Sequence, residues 1–468
     1  MSAPTVPCAR SVNPSTGELI ATYPFVDDGE VADLLARSVT GYGFWRSSTL
    51  PERCGALERV AALLERDCDA LAALATREMG KPIVQARTEV TKTAAALRWY
   101  AQHGPAMLAE EPTSVGPGTV VRYEPLGPVL SVQPWNFPIW QPMRAAMAIL
   151  LAGNSYILKP APNVVGCALA LERLWDEAGL PTGVFTVLNA EPAQVALAVA
   201  DPAVAAVTVT GSVGAGAAVA SLAGKHVKKS VLELGGSDPF IVLADADLDA
   251  AVDAAVTGRF QNNGQVCIAA KRIIVDRSVA EEFTERFVAK VAALHVGDPA
   301  DASTDVGPLA RPDIREEVAA QVRRSLSQGA TLLAGGCALD RPGNFYQPTV
   351  LAGARPGMAA YTEEIFGPVA ALSTAPDVDG AVRLANDSTF GLSASIWTGD
   401  MDRAREIARQ LVVGGVFINK ISVSDPRAPI GGVKKSGYGR ELSHFGVHEF
   451  TNIKTVWSDD YLPVHDRP

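Results

Sequence analysis

The sequence predicts an α/β protein: parallel sheets with helices packed on both faces. Two patterns carry this. Short apolar, β-branched runs alternate with longer stretches whose apolar residues recur at helical spacing. Turns rich in glycine, proline and polar residues separate them, so that strand follows helix in regular succession. The rhythm begins near Val129 and begins again near Pro239, which makes two α/β units. A chain of 468 residues exceeds one ordinary core and requires two or three domains.

Taken in order, residues 1–48 read as an extended arm, with a tight turn at Asn13-Pro14-Ser15-Thr16-Gly17-Glu18 and a strand at Leu19–Tyr23. Thr49-Leu50-Pro51-Glu52 is a capping-box pattern, and Leu57, Val60, Ala61, Leu64, Leu71 and Leu74 carry one helix on to Gly80. A second helix covers about Val84–Leu108. Pro112–Glu124 alternates like a strand in a Gly/Pro-rich setting and suits a ribbon between domains or subunits. Strands then fall at Val129–Val132, Ser155–Leu158, Val184–Leu188 and Val204–Val209, with helices at Pro138–Leu151, Val164–Ala178 and Gln194–Ala200. In the second unit the strands are Phe240–Leu243, Arg272–Asp276, Ala330–Ala334, Val369–Ala375 and Ser393–Trp397. Its helices are Leu248–Gly258, Val279–Leu294 (capped from Ser278), Arg315–Leu326, Val378–Asn386 and Asp402–Leu411. The polar tail Ser458–Pro468 reads as loose.

Composition narrows the function. With 48% hydrophobic and 20% charged residues the chain buries a core, and a net charge of -10 without a Lys/Arg block argues against nucleic acid. Apolar runs such as Ala145–Ala152 are too short to span a bilayer, and Pro4, Pro7 and Arg10 interrupt any secretory leader. Cys8, Cys54, Cys68, Cys167, Cys267 and Cys337 form no CxxC pair. Their spacing suits neither a metal site nor a disulfide framework, so a reduced, cytoplasmic chain is expected.

Six stretches have residue types that can do chemistry. In Arg259–Arg272, Cys267 follows a polar, Gly-containing turn; it is either a packed thiol or one whose anion free backbone N–H groups stabilise. Thr210-Gly211-Ser212 ends a strand and opens an Ala-rich helix, which makes an anion site without the GxGxxG spacing. Lys159 stands at a strand end, where open α/β sheets bind ligands. Glu233 lies in the apolar run Val231–Gly236 and is either a structural partner or a base with a raised pKa. Asn136, between Pro134 and Pro138, presents an amide suited to an oxyanion, with Trp135 and Phe137 as walls. Glu364 and Phe366 precede a strand in Glu-Glu-Ile-Phe-Gly-Pro.

Together with Gly432-Val433-Lys434-Lys435-Ser436-Gly437, these motifs occur in the order found in the aldehyde dehydrogenase superfamily, and the resemblance covers roughly Val12 to Trp457. The sequence is most similar to the succinate-semialdehyde dehydrogenase branch in its shorter bacterial form. The resemblance implies the aldehyde dehydrogenase fold. Residues 1–111 and 127–238 would form a Rossmann-type cofactor domain and 239–436 an α/β catalytic domain. Residues 112–126 and 437–468 would form a small β oligomerisation element and tail, with a homodimer or homotetramer as the assembly. It also implies the chemistry. Cys267 attacks the aldehyde carbon, Asn136 and the Cys267 N–H hold the oxyanion, hydride passes to NADP or NAD, and Glu233 activates the water that releases the acid from the thioester. Lys159 would hold the adenosine ribose; Thr210, Gly211 and Ser212 the pyrophosphate; Glu364 and Phe366 the nicotinamide side; Trp135 would border the cleft.

Two departures bear on specificity. NAD-preferring members carry a glutamate three residues after the strand-end lysine; here Pro162 offers neither acceptor nor negative charge, so NADP is tolerated beside NAD. Succinate semialdehyde has a distal carboxylate, and the resemblance assigns Arg144 to it, the alternative being an ion pair on the helix surface. The animal enzyme has a second arginine where this chain has Gln261. Ser424 adds a hydroxyl. Glutarate semialdehyde or a neutral aldehyde therefore remains an alternative substrate. Ala269 stands where that enzyme has a second cysteine, so no local disulfide switch is expected.

Overall fold

The computed structural model describes residues 7–458. Its larger layers are two mainly parallel sheets. The first runs Gly437–Tyr438, Lys229–Glu233, Ala206–Thr210, Val129–Val132, Tyr156–Lys159, Phe185–Val187, and only Gly437–Tyr438 is antiparallel. Gly437 and Tyr438, grouped from the sequence with the tail, thus pair with Glu233 and Leu232. The second runs Thr331–Ala334, Thr349–Ala352, Val369–Ala375, Ala270–Asp276, Asp238–Val242, Ser393–Trp397, Gly415–Ile418, with only Thr331–Ala334 antiparallel. The strands read as continuous apolar runs because both sheet faces are covered by helices. A separate antiparallel ribbon joins Thr451–Trp457, Gly116–Pro125 and Glu111–Thr113.

Register brings the candidate residues to one edge of the first sheet. Val132 pairs with Lys159 on one side and Val209 on the other, and Thr210 pairs with Glu233. Asn136, Lys159, Thr210 and Glu233 are therefore at, or just beyond, the C-terminal ends of four adjacent strands, the edge where such sheets bind ligands.

Several elements differ from the sequence reading. The arm contains a helix, Asp28–Trp45, capped by a reciprocal Asp27–Glu30 box. Glycines inside it mask its helical pattern, yet Gly41 is needed, since a Cβ there would stand 2.7 Å from Val184 N. The helix begun at Thr49 breaks at Asp67 into Leu50–Arg66 and Cys68–Met79, and Gly80, at φ 78°, ends the second. Ser278 does not cap the next helix: its hydroxyl donates to Asp276 Oδ1 at 2.6 Å, and Ala280–Ala292 starts without a side-chain cap. Cys8–Val12, Thr349–Ala352 and Gly415–Ile418 are strands that the sequence left unassigned. Of the tail expected to be loose, 459–468 lies outside the described residues, and Ser458 N donates to Gly118 O at 2.9 Å.

The helical layer on the first sheet is tied together by one buried ion pair. Lys81 and Glu89 meet with side chains 0% and 1% exposed. The other oxygen of Glu89 accepts the N–H groups of Ile139 and Trp140, both at 2.8 Å, and so holds the start of Trp140–Leu151. Lys81 also lies over the Phe137 ring, 3.7 Å from its centroid. Glu89→Ala would strand a buried ammonium and two N–H groups. The expected loss is about 3–5 kcal/mol, against about 1 kcal/mol for the exposed cap change Thr49→Ala. Urea unfolding of both variants measures the difference.

Candidate active site

Cys267 is held by a run of unusual backbone. Asn262, Asn263 and Gly264 take φ of 52°, 58° and 74°, a left-handed turn that asparagine and glycine tolerate best. The turn is anchored from several elements. Asn262 Nδ2 donates to Asn136 O at 2.8 Å, and the Asn262 N–H donates to Gln85 Oε1 at 2.6 Å. Asn263 Nδ2 donates to Gly80 O and Pro308 O, each at 2.8 Å, and its Oδ1 accepts Gly307 N at 2.6 Å. Asn136 Nδ2 in turn donates to Gln265 O at 3.0 Å. The amide assigned to the oxyanion is thus locked to the loop that carries the thiol.

Cys267 sits in a turn, not at the start of a long helix, so the thiolate lacks a helix terminus to stabilise it. Burial pushes the thiol up to about 11, against the pull of Arg144 and Lys271. Lys271 donates to the carbonyls of Val266 at 2.8 Å and Cys267 at 2.7 Å. Glu233 lines the same cavity as Cys267. Burial holds its carboxyl well above the usual carboxylate range, with Arg144 opposing and Glu441 adding to the rise. Its Oε1 is buried without a hydrogen-bond partner, and a Cβ at Gly431 (φ 155°) would stand 2.7 Å from it. Glycine there keeps room beside the carboxylate.

Two cavities meet at Cys267. One, of about 240 Å³, is lined by Trp135, Asn136, Thr210, Gly211, Ser212, Glu233, Glu364 and Phe366. Trp135 and Phe366 stand edge to face, 5.6 Å between centroids. Glu364 is held by the Gly236 N–H at 3.0 Å and by Lys271 at 3.2 Å, and a Cβ on Gly235 would collide with it. Ser212 caps the helix Val213–Lys225 through Ala215 N at 3.2 Å, and nothing lies within 4 Å of a Cβ placed on Gly214. An open helix N-terminus of this kind can receive a phosphate. Lys159 and Pro162 lie outside this lining. Lys159 is half-buried at its strand end, its ammonium has no hydrogen-bond or ion-pair partner among the described residues, and burial lowers its pKa. Pro162 is exposed.

The other cavity, of about 210 Å³, is lined by Arg144, Gln261 and Ser424, with Phe137, Trp140, Lys92 and Cys267. Arg144 is not free within it. Its guanidinium pairs with Glu441, both side chains being 2% exposed, and reaches Thr210 Oγ1 at 3.5 Å. Burial opposes its charge, yet Glu441 and Glu233 hold its pKa above the ordinary value.

Cys267 is thus shared by a cleft that contains an open helix N-terminus and a second cavity lined by Arg144 and Lys92. The model of the aldehyde dehydrogenase family covers residues 3–456. The chain belongs to the aldehyde dehydrogenase family. It is 53% identical over 452 residues to the succinate semialdehyde dehydrogenase [NAD(P)+] of Escherichia coli strain K12, covering 96% of this chain and 98% of that one. It is 49% identical over 451 residues to the succinate-semialdehyde dehydrogenase [NADP(+)] 1 of Mycobacterium tuberculosis strain H37Rv, covering 96% and 99%. Among solved structures, succinic semialdehyde dehydrogenase from Streptococcus pyogenes in complex with NADP+ superposes with a TM-score of 0.94 at 36% identity, over 96% of this chain and 99% of that one.

Within this family frame, four residues of the site escaped the sequence reading. Lys92, Lys271, Glu441 and Arg311 are ordinary charges of a helix, a strand and two loops, and nothing local distinguishes them. Arg311 lines the first cavity with its guanidinium 5.8 Å from the Trp135 ring centroid. The raised thiol has a direct readout. Iodoacetamide alkylation of Cys267, followed by mass spectrometry of its peptide, should still accelerate by about tenfold per unit between about pH 8 and 10. A plateau below about pH 9 contradicts the burial effect.

Proposed function

We propose that this aldehyde dehydrogenase oxidises succinate semialdehyde, or a similar short acidic semialdehyde, to the dicarboxylic acid with NADP or NAD. The observation that carries the reading is the placement of Cys267 on the shared wall of two cavities, one shaped for a dinucleotide and one holding buried positive charge. The names of the bacterial relatives at 49–53% identity supply the substrate class.

The dinucleotide cleft fits its ligand on residues present. Gly211 and Ser212 at the helix N-terminus receive the pyrophosphate, the unpartnered Lys159 ammonium takes the adenosine ribose, and Glu364, Phe366 and Trp135 frame the nicotinamide. With Pro162 after that lysine, no carboxylate stands against a 2′-phosphate. The bound dinucleotide supplies the hydride acceptor. Cys267 adds to the aldehyde carbon, and Asn136 Nδ2 with the Cys267 N–H stabilises the oxyanion. Glu233, poised by burial to exchange a proton near neutral pH, takes one from the water that releases the acid. Arg144, Gln261 and Ser424 face the distal end of the substrate. Gln261 is uncharged, so glutarate semialdehyde or a neutral aldehyde is the second reading.

Residues 1–111 and 127–238 then serve the cofactor, 239–436 the chemistry, and the ribbon with the tail joins subunits into a homodimer or homotetramer in a reducing cytoplasm. Ile453 and Trp457 are 59% and 61% exposed on that ribbon, an apolar face that a partner would cover. Ile453→Asp with Trp457→Ser should yield a smaller particle by light scattering. Glu233→Gln should lower aldehyde oxidation by about 10²–10⁴ while Cys267 remains open to alkylation. Steady-state rates with NAD and NADP over acidic and neutral aldehydes test the whole assignment. Oxidation that survives Cys267→Ala overturns it.

A further inference from the structure

We propose that Lys92, with Ser424, is the carboxylate anchor that selects acidic aldehydes, while Arg144 stays committed to its buried pair with Glu441. The inference rests on the reading above that the substrate carries a distal carboxylate. Lys92 lies on the helix Ile83–Met107 and lines the same cavity as Cys267. Its ammonium donates to Ser424 Oγ at 2.7 Å and stands 4.2 Å from the Trp140 ring centroid. An ammonium has three donors, and that single hydrogen bond leaves others for a ligand.

The charges around it decide the assignment. Each carboxylate near Lys92 already has a cation. Glu89 is bound by Lys81, Asp425 by Arg427 at 2.6 Å, and Glu441 by Arg144. Among the described residues no carboxylate lies within ion-pair distance of Lys92. It is therefore the uncompensated cation of the cavity, whereas Arg144 is neutralised and almost fully enclosed. Losing Arg144 would strand buried Glu441, so its removal cannot report on substrate recognition alone. Ser424 completes a two-donor clamp. Its hydroxyl accepts from Lys92, which leaves the hydroxyl hydrogen for a carboxylate oxygen.

Burial lowers the Lys92 pKa to about 8; Arg144 and Lys81 push the same way, and Glu89 and Asp425 oppose them. The protonated form binds the acid, so affinity is lost as pH rises through that value. A bound carboxylate reverses the shift.

The test compares kcat/KM for succinate semialdehyde and for butanal, using the holoenzyme. Lys92→Met should lower the acid-to-neutral ratio by roughly 10- to 100-fold, the range for losing one charged hydrogen-bond partner, and Lys92→Arg should restore most of it. The wild type gives a second readout without any variant. Its KM for succinate semialdehyde should climb through about pH 8 while its KM for butanal does not follow. An unchanged ratio in Lys92→Met, or an acid KM flat to about pH 10, overturns the anchor. A wild-type ratio near one overturns the acidic-substrate reading instead.

Discussion

The left-handed turn at Asn262–Gly264 is the constraint on which the site depends. Three consecutive residues at positive φ are costly, of order 1–3 kcal/mol each where the residue is not glycine. They persist because hydrogen bonds donated to Gly80, Gln85, Asn136 and Pro308, and one accepted from Gly307, over-determine them. Those partners come from the helical layer, the loop after Val129–Val132, and the segment before Pro312–Ser327. The turn is thus a junction between layers, and Cys267, three residues beyond Gly264, inherits its position from all of them. Gly264 itself admits no replacement, since a Cβ there would press into the Gly367 backbone.

Around that fixed thiol the structure arranges charge by pairing. Lys81 with Glu89, Arg144 with Glu441 and Lys271 with Glu364 each join elements distant in the chain. Buried pairs of this kind add little net stability, but each leaves a costly orphan if broken, and so they hold side chains in register. The consequence is selective. Glu233 Oε1 and Lys92 are left with unmet capacity, one for a proton and one for an anion, while every other buried charge near the thiol has a partner. The same burial that raises the thiol also raises Glu233, so base and nucleophile are adjusted together.

Much of this was legible along the chain. Alternating strands and helices gave the layers, and the shared order of Pro-Trp-Asn-Phe-Pro, Leu-Glu-Leu-Gly-Gly and Gly-Gln-Val-Cys with the aldehyde dehydrogenases marked Asn136, Glu233 and Cys267, each of which alone reads equally as structural. The helix Asp28–Trp45 was hidden by its own glycines, although Asp27 and Glu30 formed a readable capping box. Arg144 was legible as a cation near the site, but not as one half of a buried pair.

From residues alone came the fold class and the strand ends where ligands can bind, while the choice of one cysteine among six came from the resemblance of ordered motifs to a known family. The first two rest on short-range rules: periodicity, turn geometry and the placement of glycine. Which charges are free could be decided only by folding. Glu441 reaches Arg144 across 297 residues, and Ser424 reaches Lys92 across 332. A pairing at that separation depends on how the layers pack, and no local pattern encodes it.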